Sequence, residues 1–417
     1  MRADGGADSC RIFFPAGGTM SITAFGAHIK ARRFAGRFNW AVAASTAGLL
    51  ALSMAFIFSA SFHAATQEYA RVAKMQVIWI GLGLAAIFFL MLVPLRLLRE
   101  SAPWIYAASL FSLVAVLFIG TVHKGSTRWF ALGPVHVQPS ECAKIATVFM
   151  LAWFFAKNPE RARTLRGLAA ALAIALVPIV LILREPDLGT AMIFVPVTLA
   201  MLFAAGAKKR HLALFIACGI MLVPLGWLFV LKPYQKGRLL VFLDPDNPRQ
   251  AMKKFLSEDE LKRVRFADGY HLRQSLMAVG SGGLTGKGYR RGTQNTLGYL
   301  PERHTDFIFA VLAEEWGLIG CLVLLGLYGL LIVGGADAAA RTSDPFSKLA
   351  IVGIIAIMAT QVIVNAGMNV GLFPITGLTL PLLSYGGSSM LVSLAGIALI
   401  LNFDLRTERE IPRISDK

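Results

Sequence analysis

Charge is what this chain has least of. Only 16% of its 417 residues are Asp, Glu, Lys or Arg, whereas 56% are hydrophobic. A soluble globular protein carries roughly 25% charged residues, so an ordinary water-soluble fold is excluded. Cysteine is also sparse. The four present are Cys10 near the N-terminus and Cys142, Cys218 and Cys321 within apolar segments. They form no disulfide framework, and no CxxC or His-rich spacing suggests zinc. Residues 1–38 hold Arg2, Arg11, Lys30, Arg32, Arg33 and Arg37 but no apolar core. That excludes a cleavable signal peptide and leaves a cytoplasmic tail, with Met20 as an alternative start. A P-loop is missing too: residues 280–288 are glycine-rich but lack GxxxxGK[ST] and follow no strand.

What is abundant is apolar sequence, with a mean hydropathy of +0.62. Windows of about 20 apolar residues, long enough to cross ~30 Å of hydrocarbon, recur along nearly the whole chain. The expectation is an all-α polytopic membrane protein with ten spans, at about 39–61, 75–98, 103–121, 139–156, 165–183, 188–206, 211–231, 305–333, 347–372 and 385–404. The membrane domain would run over 39–405, with a short tail at 406–417.

The net charge of +17 lies in loops beside apolar spans, which points to topology and anionic lipid rather than nucleic acid. With the N-terminus inside, the cytoplasmic segments hold Arg96, Arg99, Lys157, Arg161, Arg163, Arg166, Lys208, Lys209, Arg210, Arg341, Lys348 and Arg406. The short outer loops hold only Arg71, Lys74, Lys124, Arg128 and Arg184. Both termini are therefore expected in the cytoplasm, and residues 232–304 form one long extracytoplasmic loop between spans seven and eight. Its middle, about 245–266, suits a mobile or amphipathic helical insert. Its glycine-rich second half suits close backbone approach to a ligand or to the membrane surface.

The unusual polar residues fall on the outer side. Arg128 and Trp129 precede span four, and Gln138-Pro-Ser-Glu141-Cys-Ala-Lys144 opens it. Arg184-Glu-Pro-Asp187 separates spans five and six. Leu300-Pro-Glu-Arg303-His304-Thr-Asp306 leads into span eight, and Ser384-Tyr385-Gly-Gly-Ser-Ser389 opens span ten. Ionisable groups at a membrane entry are costly unless they bind or react with something.

Each also has a plainer explanation. Glu141 and Lys144 are neighbours on one helix face and neutralise each other; Ser140 and Thr305 suit helix N-caps. Glu314 and Glu315 lie roughly 12–13 Å deeper than Asp306, either paired with a buried base or lining a common cavity. Asn365 and Asn369 either line that interior or bond between helices. Carboxylates and cations beside lipid fit a lipid-linked pyrophosphate: cations or a metal hold the diphosphate, and a carboxylate takes a proton from an attacking sugar hydroxyl.

Five stretches taken in order, Gln138-Pro-Ser-Glu141, Glu185-Pro-Asp-Leu-Gly-Thr190, Gly280-Ser-Gly-Gly283, Leu300-Pro-Glu-Arg-His-Thr-Asp-Phe-Ile-Phe309 and Leu383-Ser-Tyr-Gly-Gly-Ser-Ser389, resemble the SEDS proteins (shape, elongation, division and sporulation). The resemblance covers about 40–405. Gly292-Thr-Gln294, Pro301-Glu-Arg-His304 and Asn365-Ala-Gly-Met-Asn-Val-Gly371 are of the elongation type, whereas Gly377-Leu-Thr-Leu-Pro381 and the long N-terminal tail resemble the division type.

The resemblance implies a bacterial inner-membrane glycosyltransferase that polymerises lipid II and releases undecaprenyl diphosphate. It also implies a divalent cation (Mg or Mn), a class B penicillin-binding transpeptidase as partner, and the elongation machinery. Asp306 matches the essential acidic position of that family, and Trp129, Glu141 and Lys144 match other sensitive positions. Asp306 is then the general base or the metal-holding carboxylate. Lys144 and Arg303 would bind diphosphate, Glu141 would orient Lys144, and Trp129 would pack on lipid or sugar; Arg128, His304, Ser384 and Tyr385 complete the expected substrate site. The rivals are a lipid II flippase, which needs polar lining through the whole bilayer, and a scaffold without catalysis.

Overall fold

Within hydrocarbon no water is available to backbone groups, so apolar runs of membrane length become helices that satisfy themselves. A computed structural model of the chain describes residues 11–13, 19–21, 38–61, 68–123, 126–132, 135–229, 231–244, 248–262 and 267–406. Eight of its helices are long and apolar enough to cross a membrane. They are α1 (Trp40–Ser61), α2 (Glu68–Leu92, spanning over Arg71–Leu92), α3 (Leu95–Ile119), α5 (Leu165–Arg184), α7 (Lys209–Phe229), α13 (Ile308–Arg341), α14 (Pro345–Asn369) and α15 (Gly387–Arg406). The remaining two expected spans are also helical. α4 (Pro139–Lys157) carries Glu141, Lys144 and Lys157, and α6 (Leu188–Ala204) has only 17 residues.

Before α1, β1 (Arg11–Phe13) pairs antiparallel with β2 (Thr19–Ser21); most of the expected tails at 1–38 and 406–417 lies outside the described residues. In the remainder of the chain α14 is central, packing on α4, α6 and α13, while α15 lies along α2 and α3 along α4. Phe149, Phe346 and Phe403 from α4, α14 and α15 meet with ring centroids 5.6–6.2 Å apart and are nearly inaccessible. Large apolar side chains such as Trp104, Phe111 and Phe118 on α3 remain exposed, as lipid-facing residues should.

Several boundaries differ from expectation. The second span ends at Leu92, not near 98, because Pro94 cannot continue a helix and instead precedes α3. Arg96 and Arg99 thus belong to the first turns of α3, where Arg99 pairs with Asp344. The last carbonyls of α2 are capped from α15: Asn402 donates to Leu90 and Val93, and Arg406 to Met91 and Leu92. Arg71 and Lys74 lie in α2 rather than in a loop.

The chain is not wholly α. β3 (Thr121–His123), β4 (Ser126–Leu132) and β5 (Val135–Val137) form an antiparallel sheet in that order. Thr, Val, Trp and Phe favour strands, and the sequence places Lys124-Gly125 and Gly133-Pro134 between them.

The long segment after α7 folds into α8 (Pro233–Leu243), α9 (Pro248–Phe255), α10 (Glu258–Lys262), α11 (Ala267–Gly282) and the single turn α12 (Thr293–Thr296). Its glycine-rich part approaches backbone closely, but the backbone is that of α13. Gly317, with φ of 65°, breaks α13. At the break, Lys287 and Gly288 N–H groups donate to the Glu314 and Glu315 carbonyls, while Leu318 and Ile319 donate to Gly283 and Leu284. A Cβ on Gly286 would collide with the Glu315 carbonyl. The glycine run thus replaces the missing turn of the helix, which is how irregular backbone is tolerated at membrane depth.

Candidate active site

Asp306 sits in a tight turn just before α13. The Glu302 carbonyl accepts from the N–H groups of Thr305, Asp306 and Phe307 at 3.1, 3.1 and 3.2 Å. Closing that turn puts Glu302 at a φ of 45°. The helix is capped by Phe307 with no side-chain hydrogen bond. Thr305 is therefore not the N-cap; its hydroxyl turns back to Glu302. Asp306 stays half-buried, next to the fully closed Phe307.

The carbonyls of this turn face an irregular segment, residues 371–386, between α14 and α15. Tyr385 N–H donates to His304 at 2.8 Å, and Ser384 Oγ to Thr305 at 2.6 Å. The Ser384 hydroxyl also accepts from Leu380 N–H, and the residue is buried. The His304 and Tyr385 rings meet edge to face at 5.8 Å. Gly377, at φ of 73°, lies beside the carboxylate: a Cβ there would stand 3.6 Å from Asp306 Oδ2. Arg303 donates from Nη1 to the Asn295 carbonyl at 2.6 Å. Burial raises the Tyr385 hydroxyl pKa, and Arg71 opposes that shift. Sequence reasoning did not include Arg71 in the site, because it precedes an apolar run far from the other motifs.

Segment 371–386 and the first turn of α15 also tie in the other motifs. A Cβ on Gly189 would meet the Thr376 carbonyl at 2.5 Å. Ser388 Oγ accepts from Gln138 N–H and donates to the His136 carbonyl, both at 3.1 Å. Gln138 in turn reaches Asp187, which caps α6 through Thr190 N–H and pairs with Arg128 at 3.2 Å. Trp129, half-buried in β4, receives a hydrogen bond from Thr121 on its carbonyl.

Glu185, in the turn between α5 and α6, is fully buried, and among the described residues neither of its carboxyl oxygens finds a hydrogen-bond partner. Burial first and the nearby Asp187 second push its pKa up to about 8, against the pull of Arg128. Residue type alone gave no sign of this burial.

Glu141 and Lys144 form a buried ion pair at 2.8 Å in the first turns of α4. They line a small cavity with Ile354, Ile357, Gln361 and Ser393, with room for about one water. Ser140 is buried, its hydroxyl without a hydrogen-bond partner among the described residues, and Gln138 occupies the N-cap position. Glu314 and Glu315 belong to the α13 break. Glu314 pairs with Lys287 at 2.7 Å and accepts from Thr293 and Gln294, and Glu315 accepts from Ser59 and Asn295.

Among the described residues no three His, Cys, Asp or Glu side chains gather to hold a metal. A magnesium ion needs less, since one or two carboxylates and substrate phosphates suffice. The half-buried Asp306 is a carboxylate of that kind.

The sequence model of the cell cycle proteins FTSW_RODA_SPOVE matches residues 40–409. The chain is 39% identical to peptidoglycan glycosyltransferase MrdB of Escherichia coli K12, over 80% of this chain and 85% of that protein. It is 35% identical to a probable peptidoglycan glycosyltransferase FtsW of Thioalkalivibrio sulfidiphilus, over 91% and 92%. A solved chain described under structural coordination of polymerization and crosslinking by a peptidoglycan synthase complex superposes with a TM-score of 0.74 at 32% identity, covering 89% of this chain and 99% of that one. The rod shape determining protein RodA of Thermus thermophilus superposes with a TM-score of 0.63 at 31% identity, covering 89% and 97%.

Proposed function

The chain belongs to the FtsW/RodA/SpoVE family of cell cycle proteins, and from that premise we propose how its Asp306 turn works. The protein is a peptidoglycan glycosyltransferase of the bacterial inner membrane, with several membrane-spanning helices. In the proposed topology α1 to α7 and α13 to α15 are ten spans, both termini are cytoplasmic, and the Asp306 end faces outward. The positive-inside distribution of Lys and Arg supports that orientation.

One observation carries the catalytic assignment. Asp306 is a half-buried carboxylate on a turn whose successive carbonyls are gripped from the segment 371–386. The carboxylate takes the proton from the attacking sugar hydroxyl of one lipid II. The new bond forms at the anomeric carbon of the other glycan, and the bond to the diphosphate oxygen breaks with its electron pair leaving on undecaprenyl diphosphate. Arg303 and Lys144 are the cations assigned to the diphosphate, Glu141 is assigned to orient Lys144, and Arg128, Trp129, His304, Ser384 and Tyr385 are the further residues assigned to the substrate site. In the alternative role Asp306 would instead hold a divalent cation, which when bound neutralises charge on the departing diphosphate.

We assign the chain to cell elongation, with a class B penicillin-binding transpeptidase and the elongation machinery as partners; the synthase-complex neighbour supports a cross-linking partner. Complementation of rod-shaped cells depleted of either the elongation or the division polymerase tests the branch, and rescue of division alone would reverse it. For the chemistry, polymerisation of lipid II by the purified protein with its transpeptidase is compared for wild type and Asp306→Ala, with and without divalent cation. A loss of ~10²–10⁴ in rate is expected. Normal polymer from the variant would remove Asp306 from the mechanism.

A further inference from the structure

Two asparagines four residues apart on α14 contribute to the site without lining it. Asn365 and Asn369 are both fully buried. Both donate from Nδ2 to the Asp306 carbonyl, at 3.0 and 3.2 Å. The Asn365 amide also donates to the Leu378 carbonyl at 2.6 Å. Asn369 donates back to the Asn365 carbonyl at 2.8 Å, and is itself held by Ser275 of α11.

We propose that Asn365, supported by Asn369, is a positioning residue for the carboxylate of Asp306. The geometry supports more than simple helix-to-helix adhesion. One amide group bridges the backbone that carries the carboxylate and the backbone next to Gly377, where an added Cβ would stand 3.6 Å from that carboxylate. Asn365 thus sets the spacing between the backbone of the acid and the backbone at Leu378. Neighbouring carbonyls of the turn are fixed by Tyr385 and Ser384, and the Asp306 carbonyl is held by the asparagines. With its carbonyl held by two amide donors and its N–H by the Glu302 carbonyl, Asp306 is fixed on both sides of its Cα, so the direction of its Cβ is set. Displacement of a reacting group by about 1 Å costs up to ~10²-fold in rate.

The inference rests on the assignment of Asp306 as the reacting carboxylate. The test compares Asn365→Leu, Asn365→Asp and Asp306→Asn with wild type in the full-length protein bound to its transpeptidase. Initial rates are read against lipid II concentration from pH 5.5 to 8.5, beside thermal midpoints and partner co-purification. Asn365→Leu keeps the branching and the number of side-chain heavy atoms but is bulkier and has no donor, so Asn365→Asp, which has nearly the volume of Asn, is read beside it. The Leu variant should lower kcat about 10- to 100-fold, with KM within about twofold. Asn365→Asp, buried among carbonyls, should hold a proton and keep one donor at low pH. Its kcat should lie between those of wild type and the Leu variant and should fall as pH rises.

Asn365→Leu that binds its partner and keeps wild-type kcat overturns the inference, while an inactive Asp306→Asn leaves the catalytic assignment standing. A rise in KM alone also overturns it, since that places Asn365 in substrate binding. Full activity of Asp306→Asn overturns the assignment and this inference together. If Asn365→Leu does not fold, Asn365→Asp decides: wild-type kcat with no pH trend beyond that of the wild type overturns the proposal.

Discussion

Lys287 Nζ lies 2.7 Å from Glu314 Oε1 at the point where α13 is broken, and Glu314 is fully buried there. The pair fastens the glycine-rich loop to the membrane helix it completes. Losing one partner of a buried pair leaves an uncompensated charge and costs about 3–5 kcal/mol. The low end applies, because Lys287 is 27% exposed and Thr293 and Gln294 still donate to Glu314. Lys287→Met should lower the thermal midpoint of the detergent-solubilised protein, and adding Glu314→Gln should restore most of it. A Lys287→Met protein as stable as wild type would show that the pair is dispensable.

Glycines in α13 should separate sharply by position. Gly317 has φ of 65°, and a Cβ there would strike the backbone of Gly286 and Leu284. Gly326 and Gly329 have open space around them in the same helix. Gly317→Ala should therefore reduce stability and yield, whereas Gly326→Ala or Gly329→Ala should be neutral or gain about 0.5–1 kcal/mol. Thermal unfolding of the three variants side by side checks this, and equal behaviour would contradict the helix break.

Glu185 supplies a pH dependence. Its pKa is raised from 4.5 to about 8, mainly by burial. The folded state therefore holds a proton between those values that the unfolded state has lost. The stabilising contribution is fully present below pH 4.5 and disappears as pH rises through 8. Glu185→Gln cannot ionise and removes this loss. The midpoint of the variant minus that of wild type should grow steadily from pH 5 to pH 8.5; two parallel curves would mean that Glu185 is ionised in the fold.

Much of this arrangement was legible from residues. The apolar runs marked the helices, because burial from water and backbone self-sufficiency act over local sequence. The polar turn at Asp306 stood out because ionisable groups are rare beside such runs. What stayed hidden depends on distant partners. Asn365 and Asn369 gave the pattern of interhelical bonding, but nothing in α14 shows that their acceptor is a carbonyl 59 and 63 residues earlier. The glycine run announced close approach, yet its partner is the break in α13, which composition does not mark. Loop signals misplaced the end of α2, where charge bias suggested a loop around Arg96 and Arg99 and Pro94 set the boundary. The β3–β5 sheet was masked by its short strands.

The pair of Lys144 and Glu141 gives the test that separates a charge serving substrate from a charge serving its neighbour. At 2.8 Å and almost fully buried, the two neutralise each other. Removing either alone confounds lost function with an uncompensated charge. Removing both together leaves no buried charge behind, and such replacements are often neutral for stability. Lys144→Met with Glu141→Gln should therefore yield a protein that inserts and binds its transpeptidase. If Lys144 also meets the diphosphate during the reaction, the double variant loses a hydrogen bond to a charged group, worth about 1.5–3 kcal/mol. That corresponds to polymerisation slowed by about 10- to 150-fold. A double variant that polymerises at the wild-type rate would confine both residues to packing α4 against α14 and would leave Arg303 as the cation for the leaving group.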